Sequence, residues 1–198
     1  MQDDHEHLEL ADVAALLGRE EAPERFCRHL AAVCAPCGEQ LRRVEALIRR
    51  FRHWNPEIVV AEGLVADGLL DALLATDPAS WAAQVEQEAD LQTWGVAWVA
   101  LERARANLEK GEGQTLELAL LAAKIASHLG TTYHPEWVAD LKALSHAAAA
   151  LATPPNNAEA LLREVGAAMT ALREGSGDEV VNREVVGLLA PVFGVVKG

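Results

Sequence analysis

Ala and Leu together fill one third of the 198 residues, and this constrains the fold more than any other feature of the chain. Both stand at the top of the helix-propensity ranking, while strand-favouring types are scarce, at 3 Ile, 3 Phe and 1 Tyr against 18 Val. An all-α fold is predicted, and a β-sandwich, a collagen-like chain and a secreted disulfide scaffold are excluded. No run of 18 or more apolar residues occurs, so no transmembrane helix is expected. Met1 to Glu9 carries acids and no basic residue, unlike the start of a secretory signal, and a cytoplasmic protein is expected.

Gly, Pro and Asn residues cut the sequence into about nine helical segments. Leu8 to Leu17 is a short helix closed by Gly18, Pro23 opens a second, and Pro36 starts a third. That third segment runs to about Arg52 with Leu41, Val44, Leu47, Ile48 and Phe51 on one helical stripe. Asn55-Pro56 resets the chain, and residues 56–76 follow as a Leu-, Val- and Ala-rich helix. Asp77-Pro78 opens the next, carrying Trp81, and a long helix spans about Leu91 to Glu109. Later helices are predicted over 114–129, 135–151, 158–174 and 179–190, with Pro191 and Gly194 fraying the end.

From the joint at Gly111–Gly113 to that at 153–157, one helix hairpin takes about 43 residues. Antiparallel helices with short joints, each keeping an apolar face for its neighbour, suit an α-solenoid. The period lies nearer the ~40–47 residues of HEAT-type hairpins than the ~34 of a tetratricopeptide unit. A compact bundle gives the same pattern. Trp81, Trp94, Trp98 and Trp137 fall on apolar faces and are read as packing residues.

The formal charge is -13, from 17 basic and 30 acidic residues. Such a surface repels phosphate backbones, so no direct nucleic-acid binding is expected. One stretch departs from this balance. Arg42, Arg43, Arg49, Arg50 and Arg52 face only Glu45, either as the solvated side of an amphipathic helix or as a docking strip for an acidic partner.

Cys27, Cys34 and Cys37 are the only cysteines, an odd and clustered set that suits metal or redox use in a reducing compartment. His29, Cys34 and Cys37 form a His-x4-Cys-x2-Cys run in "RHLAAVCAPC". The Cys-x2-Cys turn brings two thiolates to one ion, and a His on the preceding helix reaches the same point. Zinc needs a fourth ligand, for which His5 and His7 are the first candidates and Cys27 the third. With four protein ligands the ion is structural, since no position is left for a reactive water. Two other readings stand beside it: a metal-free helix joint with small buried cysteines, and a redox pair.

"HLELADVAALLGREEAPERFCRHLAAVCAPCGEQLRRV" resembles the zinc-associated anti-sigma segment of bacterial regulators. In that family a short helix preceded by His or Cys is followed by an acidic, Pro-bearing helix ending in His-Leu and a Cys-x2-Cys turn. The usual spacing from His to the first Cys is three residues, and here it is four. The resemblance implies zinc on His29, Cys34, Cys37 and His5 or His7, with the surrounding helices gripping a sigma factor. Metal loss or thiol oxidation would then release the partner.

"DLQTWGVAWVALERARANLE" and "HPEWVADLKALSHAAAALA" resemble the tetratricopeptide-like hairpins that follow such a segment in related bacterial proteins. The organisation expected is a small anti-sigma-like helical segment over 1–55 packed on a TPR-like helical-repeat array over 56–198. Neither a Gly-rich phosphate loop nor a Gly-x-Ser-x-Gly elbow nor a His-Glu-x-x-His motif is present, and no catalytic role is expected. His128, His134 and His146 are scattered and read as structural or solvated. The function expected is that of a regulatory adaptor acting through a protein partner, a sigma factor or a signalling or defence effector, with self-association possible. The alternative is a metal-free helical scaffold serving as inhibitor, substrate or accessory subunit of such an effector.

Overall fold

A computed structural model describes residues 56–195 apart from Glu112 and Thr132, with side chains from Glu62 to Gly194. The chain divides into two compact units, Met1–Leu64 and Val65–Gly198. The described residues form seven α-helices and two 3-10 turns, with no strand among them, in line with the all-α expectation. In order these are α1 (Pro56–Leu74), a turn at Pro78–Ser80, α2 (Trp81–Gln87), a turn at Ala89–Leu91, and α3 (Trp94–Lys110). Then come α4 (Thr115–His128), α5 (Pro135–Ala152), α6 (Ala158–Glu174) and α7 (Glu179–Val195).

Side chains at the joints set the helix starts. Asp77 accepts from the Ala79 N–H at 3.0 Å, but the helix it opens is first a 3-10 turn, and α2 begins only at Trp81. The long helix expected from Leu91 begins instead at Trp94. Leu91 closes a 3-10 turn, and the Thr93 hydroxyl takes the Val96 N–H as the cap. Asn157 caps α6 by accepting from Ala160 at 3.2 Å, which matches the start expected there. Gly111, at φ 68, ends α3 in the left-handed region and donates to Asn107 and Leu108 carbonyls.

Pro191 does not end the last helix, which continues to Val195. Proline removes one N–H, and the carbonyl it would have served, at Gly187, lies on an exposed turn where water reaches it. Leu189 and Val192, both buried, hold the turn on either side.

Within Val65–Gly198, α5 is the helix the others pack on: α3, α4, α6 and α7 all touch it. Leu141 and Leu144 are about 1% exposed, and Ala147, Ala148 and Ala149 are fully covered. The alanine row lets neighbouring backbones approach closely, while each buried Leu contributes about 1.5–3 kcal/mol by leaving water. The partners offer matching stripes: Val96, Ala97, Ala100, Leu101 and Ala104 on α3, and Val181, Val185, Leu189 and Val192 on α7. Arg105 of α3 and Glu184 of α7 meet at 3.3 Å. On α1, Ala66, Leu70 and Leu73 are buried, and Asp67 and Asp71 grip Arg103 of α3 at 2.8 and 2.5 Å. Burial disfavours the Arg103 charge, yet these two hydrogen bonds outweigh it and raise its pKa.

Asp140, buried on α5, fixes the α6–α7 joint. It accepts from the Ser176 backbone N–H at 3.2 Å and from the Ser176 hydroxyl at 2.5 Å. A Cβ on Gly175 would stand 2.1 Å from the Asp140 Oδ1, so only glycine lets the joint close on the carboxylate. Beyond it, Asp178 caps α7 by accepting from Val180 at 2.7 Å and Val181 at 3.2 Å.

Gly175→Ala is expected to lower stability by about 1–3 kcal/mol in denaturant unfolding, because side chain and carboxylate cannot both keep their places. In an Asp140→Ala background the same substitution should cost much less, and additive losses would contradict the joint. Trp94→Ala, removing a side chain 4% exposed at the start of α3, is expected to cost about 3–5 kcal/mol. An unchanged unfolding midpoint would contradict its packing role.

Candidate functional site

His5, His7, His29, Cys34 and Cys37, the zinc ligands expected from sequence, lie outside the described residues, as do Cys27 and the arginine strip. Among the described residues no three His, Cys, Asp or Glu side chains converge on a point that would hold a metal ion. No helix among them is long and apolar enough to cross a membrane. Of the tryptophans expected to pack, Trp81 and Trp94 are buried, while Trp98 and Trp137 are half-buried.

Three features of the described residues have the chemistry to act. The first is an ionic centre between α5 and α6. Glu164, with its side chain 5% exposed, takes His146 Nδ1 on one oxygen at 2.8 Å and the Arg163 Nε donor on the other at 2.9 Å. His146, read from the sequence as structural or solvated, is given a carboxylate partner by the hairpin. His146 and Glu164 are each nine residues from Pro155, the middle of the joint, and antiparallel helices bring such positions face to face. With both oxygens engaged, the carboxylate holds two helices together and is not offered to a substrate.

The second is a cleft of about 560 Å³ where the α4–α5 joint meets α5 and the end of α6. Pro135, Val138, Ala139 and Lys142 reach it at the i, i+3, i+4 and i+7 positions of one α5 face. Tyr133 forms a fixed wall: it is 7% exposed, and its hydroxyl accepts the Trp94 backbone N–H at 3.2 Å. Glu136 and Glu174 stand at the rim. His134 lies 3.6 Å from Glu136 and its ring rests 5.3 Å from that of Trp137, so the mouth is crowded on that side.

The third is apolar surface on the last two helices. Leu162 and Met169 on α6 are 66% and 40% exposed, and Val186 and Phe193 on α7 are 60% and 51% exposed. Each pair is seven residues apart, two turns along one helical face. Val180 adds a further exposed site at the start of α7.

Lys124 of α4 hydrogen-bonds Glu86 of α2, and this bond, helped by the lysine charge, holds the Glu86 carboxyl below its ordinary pKa. A lowered carboxylate contributes stability above the ordinary carboxylate range and loses it as pH falls through the lowered value. Both groups face water, so the contribution is small.

The chain matches none of the protein-family models, curated proteins or solved structures with which it was compared.

Glu164→Ala is expected to cost about 1–3 kcal/mol, since it strips a buried centre of its anion. Arg163→Ala should fall within about 0.5 kcal/mol, because that side chain is 66% exposed. Thermal unfolding of both variants checks the contrast, and equal losses would contradict it.

Proposed function

We propose that this chain is a cytoplasmic bacterial regulatory adaptor that works by protein–protein contact. Residues 1–55 form an anti-sigma-like segment in which His29, Cys34, Cys37 and His5 or His7 hold a structural zinc ion. Residues 56–198 form a TPR-like scaffold that presents a surface to the partner. The partner of the N-terminal segment is a sigma factor, and neither nucleic acid nor a membrane is bound directly. Ligand binding is folding energy in small metal sites, so zinc sets whether the first helices can grip the partner, and its loss releases it.

The observation that carries the interaction reading is the apolar surface on α6 and α7, where Leu162, Met169, Val186 and Phe193 remain exposed. Single exposed apolar residues are ordinary, but on each of these two helices a pair two turns apart leaves an apolar stripe that a partner can cover. The repeat reading is supported by the order of packing. Consecutive helices α3/α4, α4/α5 and α5/α6 pack together, as do the next-but-one pairs α2/α4, α3/α5 and α5/α7. Most of the packing is thus between helices close by in sequence, as in stacked hairpins, with the Arg105–Glu184 pair of α3 and α7 reaching further.

The test is metal stoichiometry on untagged protein purified without chelator, with free thiols titrated on the same sample. One zinc per chain, released with a gain of reactive thiols in Cys34→Ser or Cys37→Ser, is expected. No metal together with three titratable thiols in folded protein would overturn the zinc segment. For the scaffold, Leu162→Ser and Phe193→Ser are expected to leave the unfolding midpoint nearly unchanged while weakening capture of the sigma factor by about tenfold or more. Unaltered capture would overturn the role of this surface.

A further inference from the structure

The cleft at the α4–α5 joint has a charge pattern that the adaptor reading does not use. Lys142 is half-buried on the α5 face that lines the cleft, and its ammonium meets no carboxylate among the described residues. Glu174, the last residue of α6, lines the same cleft and likewise forms no ion pair among the described residues. Of the other basic side chains on these helices, Arg103, Arg105, Lys124 and Arg163 find acids, and Lys110, Arg173 and Arg183, which form no ion pair among the described residues, are exposed to water, whereas Lys142 is half-buried in the cleft. Two opposite charges therefore share one cleft without neutralising each other. Tyr133, Val138 and Ala139 line the same cleft as apolar surface, and the tyrosine is fixed by the Trp94 N–H.

We propose that this cleft binds a small zwitterion with an apolar side chain, an amino acid or a short peptide. Its carboxylate pairs with Lys142, its ammonium with Glu174, and its side chain lies on the apolar surface beside Tyr133. The cleft, about 560 Å³, has room for a ligand of this size, and apolar surface with a few placed polar groups is the usual form of a small-molecule site. Glu174 and Glu136 oppose a purely anionic ligand that pairs with Lys142, and Lys142 opposes a purely cationic one that pairs with the two carboxylates. Only a ligand carrying both charges satisfies the two ends together. The inference does not depend on the zinc segment or on the sigma factor.

Calorimetric titration of the full chain with leucine, phenylalanine and the dipeptide Leu-Leu tests it. Isovalerate and isoamylamine, each keeping the leucine side chain with one charge, serve as controls. Saturable binding of leucine, phenylalanine or the dipeptide is expected, about tenfold or more tighter than either singly charged control. Lys142→Gln and Glu174→Gln should each weaken the zwitterion about tenfold, with helical content unchanged. Lys142→Gln should leave isoamylamine binding unaltered or improved, because it removes a like charge. Tighter leucine than dipeptide assigns the site to free amino acids, and the reverse assigns it to peptide ends. Absence of binding by all three zwitterions, or binding that ignores both substitutions, would overturn the proposal.

Discussion

The covering of α5 is the interaction on which the rest of the described structure depends. Eighteen residues from Pro135 to Ala152 give up most of their surface to α3, α4, α6 and α7. A helix covered on so many sides needs small side chains where neighbours come close and large ones where they leave space. The run Ala147–Ala150 and the pair Leu141 and Leu144 supply these. Its buried hydroxyl is satisfied within the helix and its buried carboxylate by a distant joint. Ser145 donates back to the Leu141 carbonyl at 2.8 Å, and Asp140 holds the α6–α7 joint. The same helix thus provides the hydrophobic centre, the anchor for the last helix and one face of the cleft.

Most of the secondary structure was legible in the sequence because its punctuation is chemically simple. Asn157 and Pro135 mark helix starts that the structure reproduces, and Gly111 ends α3 through a backbone conformation glycine favours. Pro191 misled because the cost of a proline inside a helix falls where the freed i−4 carbonyl can be hydrated, and Gly187 is exposed. Leu91 misled because periodicity does not separate a 3-10 turn from the first turn of the helix after it.

The sites were less legible. The zinc ligands expected from the Cys-x2-Cys turn fall outside the described residues, so the strongest sequence motif and the clearest geometry concern different parts of the chain. Pairings across a hairpin, such as His146 with Glu164, are encoded by distance from the joint and not by local spacing. A motif search passes over them, whereas a mirror comparison about Pro155 finds this one. The cleft is harder still. Lys142 and Glu174 lie on successive helices and share a cleft only because α5 and α6 pack along their length. Neither residue stands out in sequence.

The physical picture is of a helical scaffold that spends its strongest apolar surface on α5 and leaves a weaker set, on α6 and α7, exposed. The measurement that tests this most directly is native-state amide hydrogen exchange across the described helices. The account predicts that the α5 amides from Leu141 to Ala150 exchange only through global unfolding, with an opening free energy equal to that from denaturant. The exposed turns of α6 and α7 should open at lower cost. Exchange from α5 as fast as from α7, in protein that remains folded, would contradict the claim that α5 is the element the others depend on.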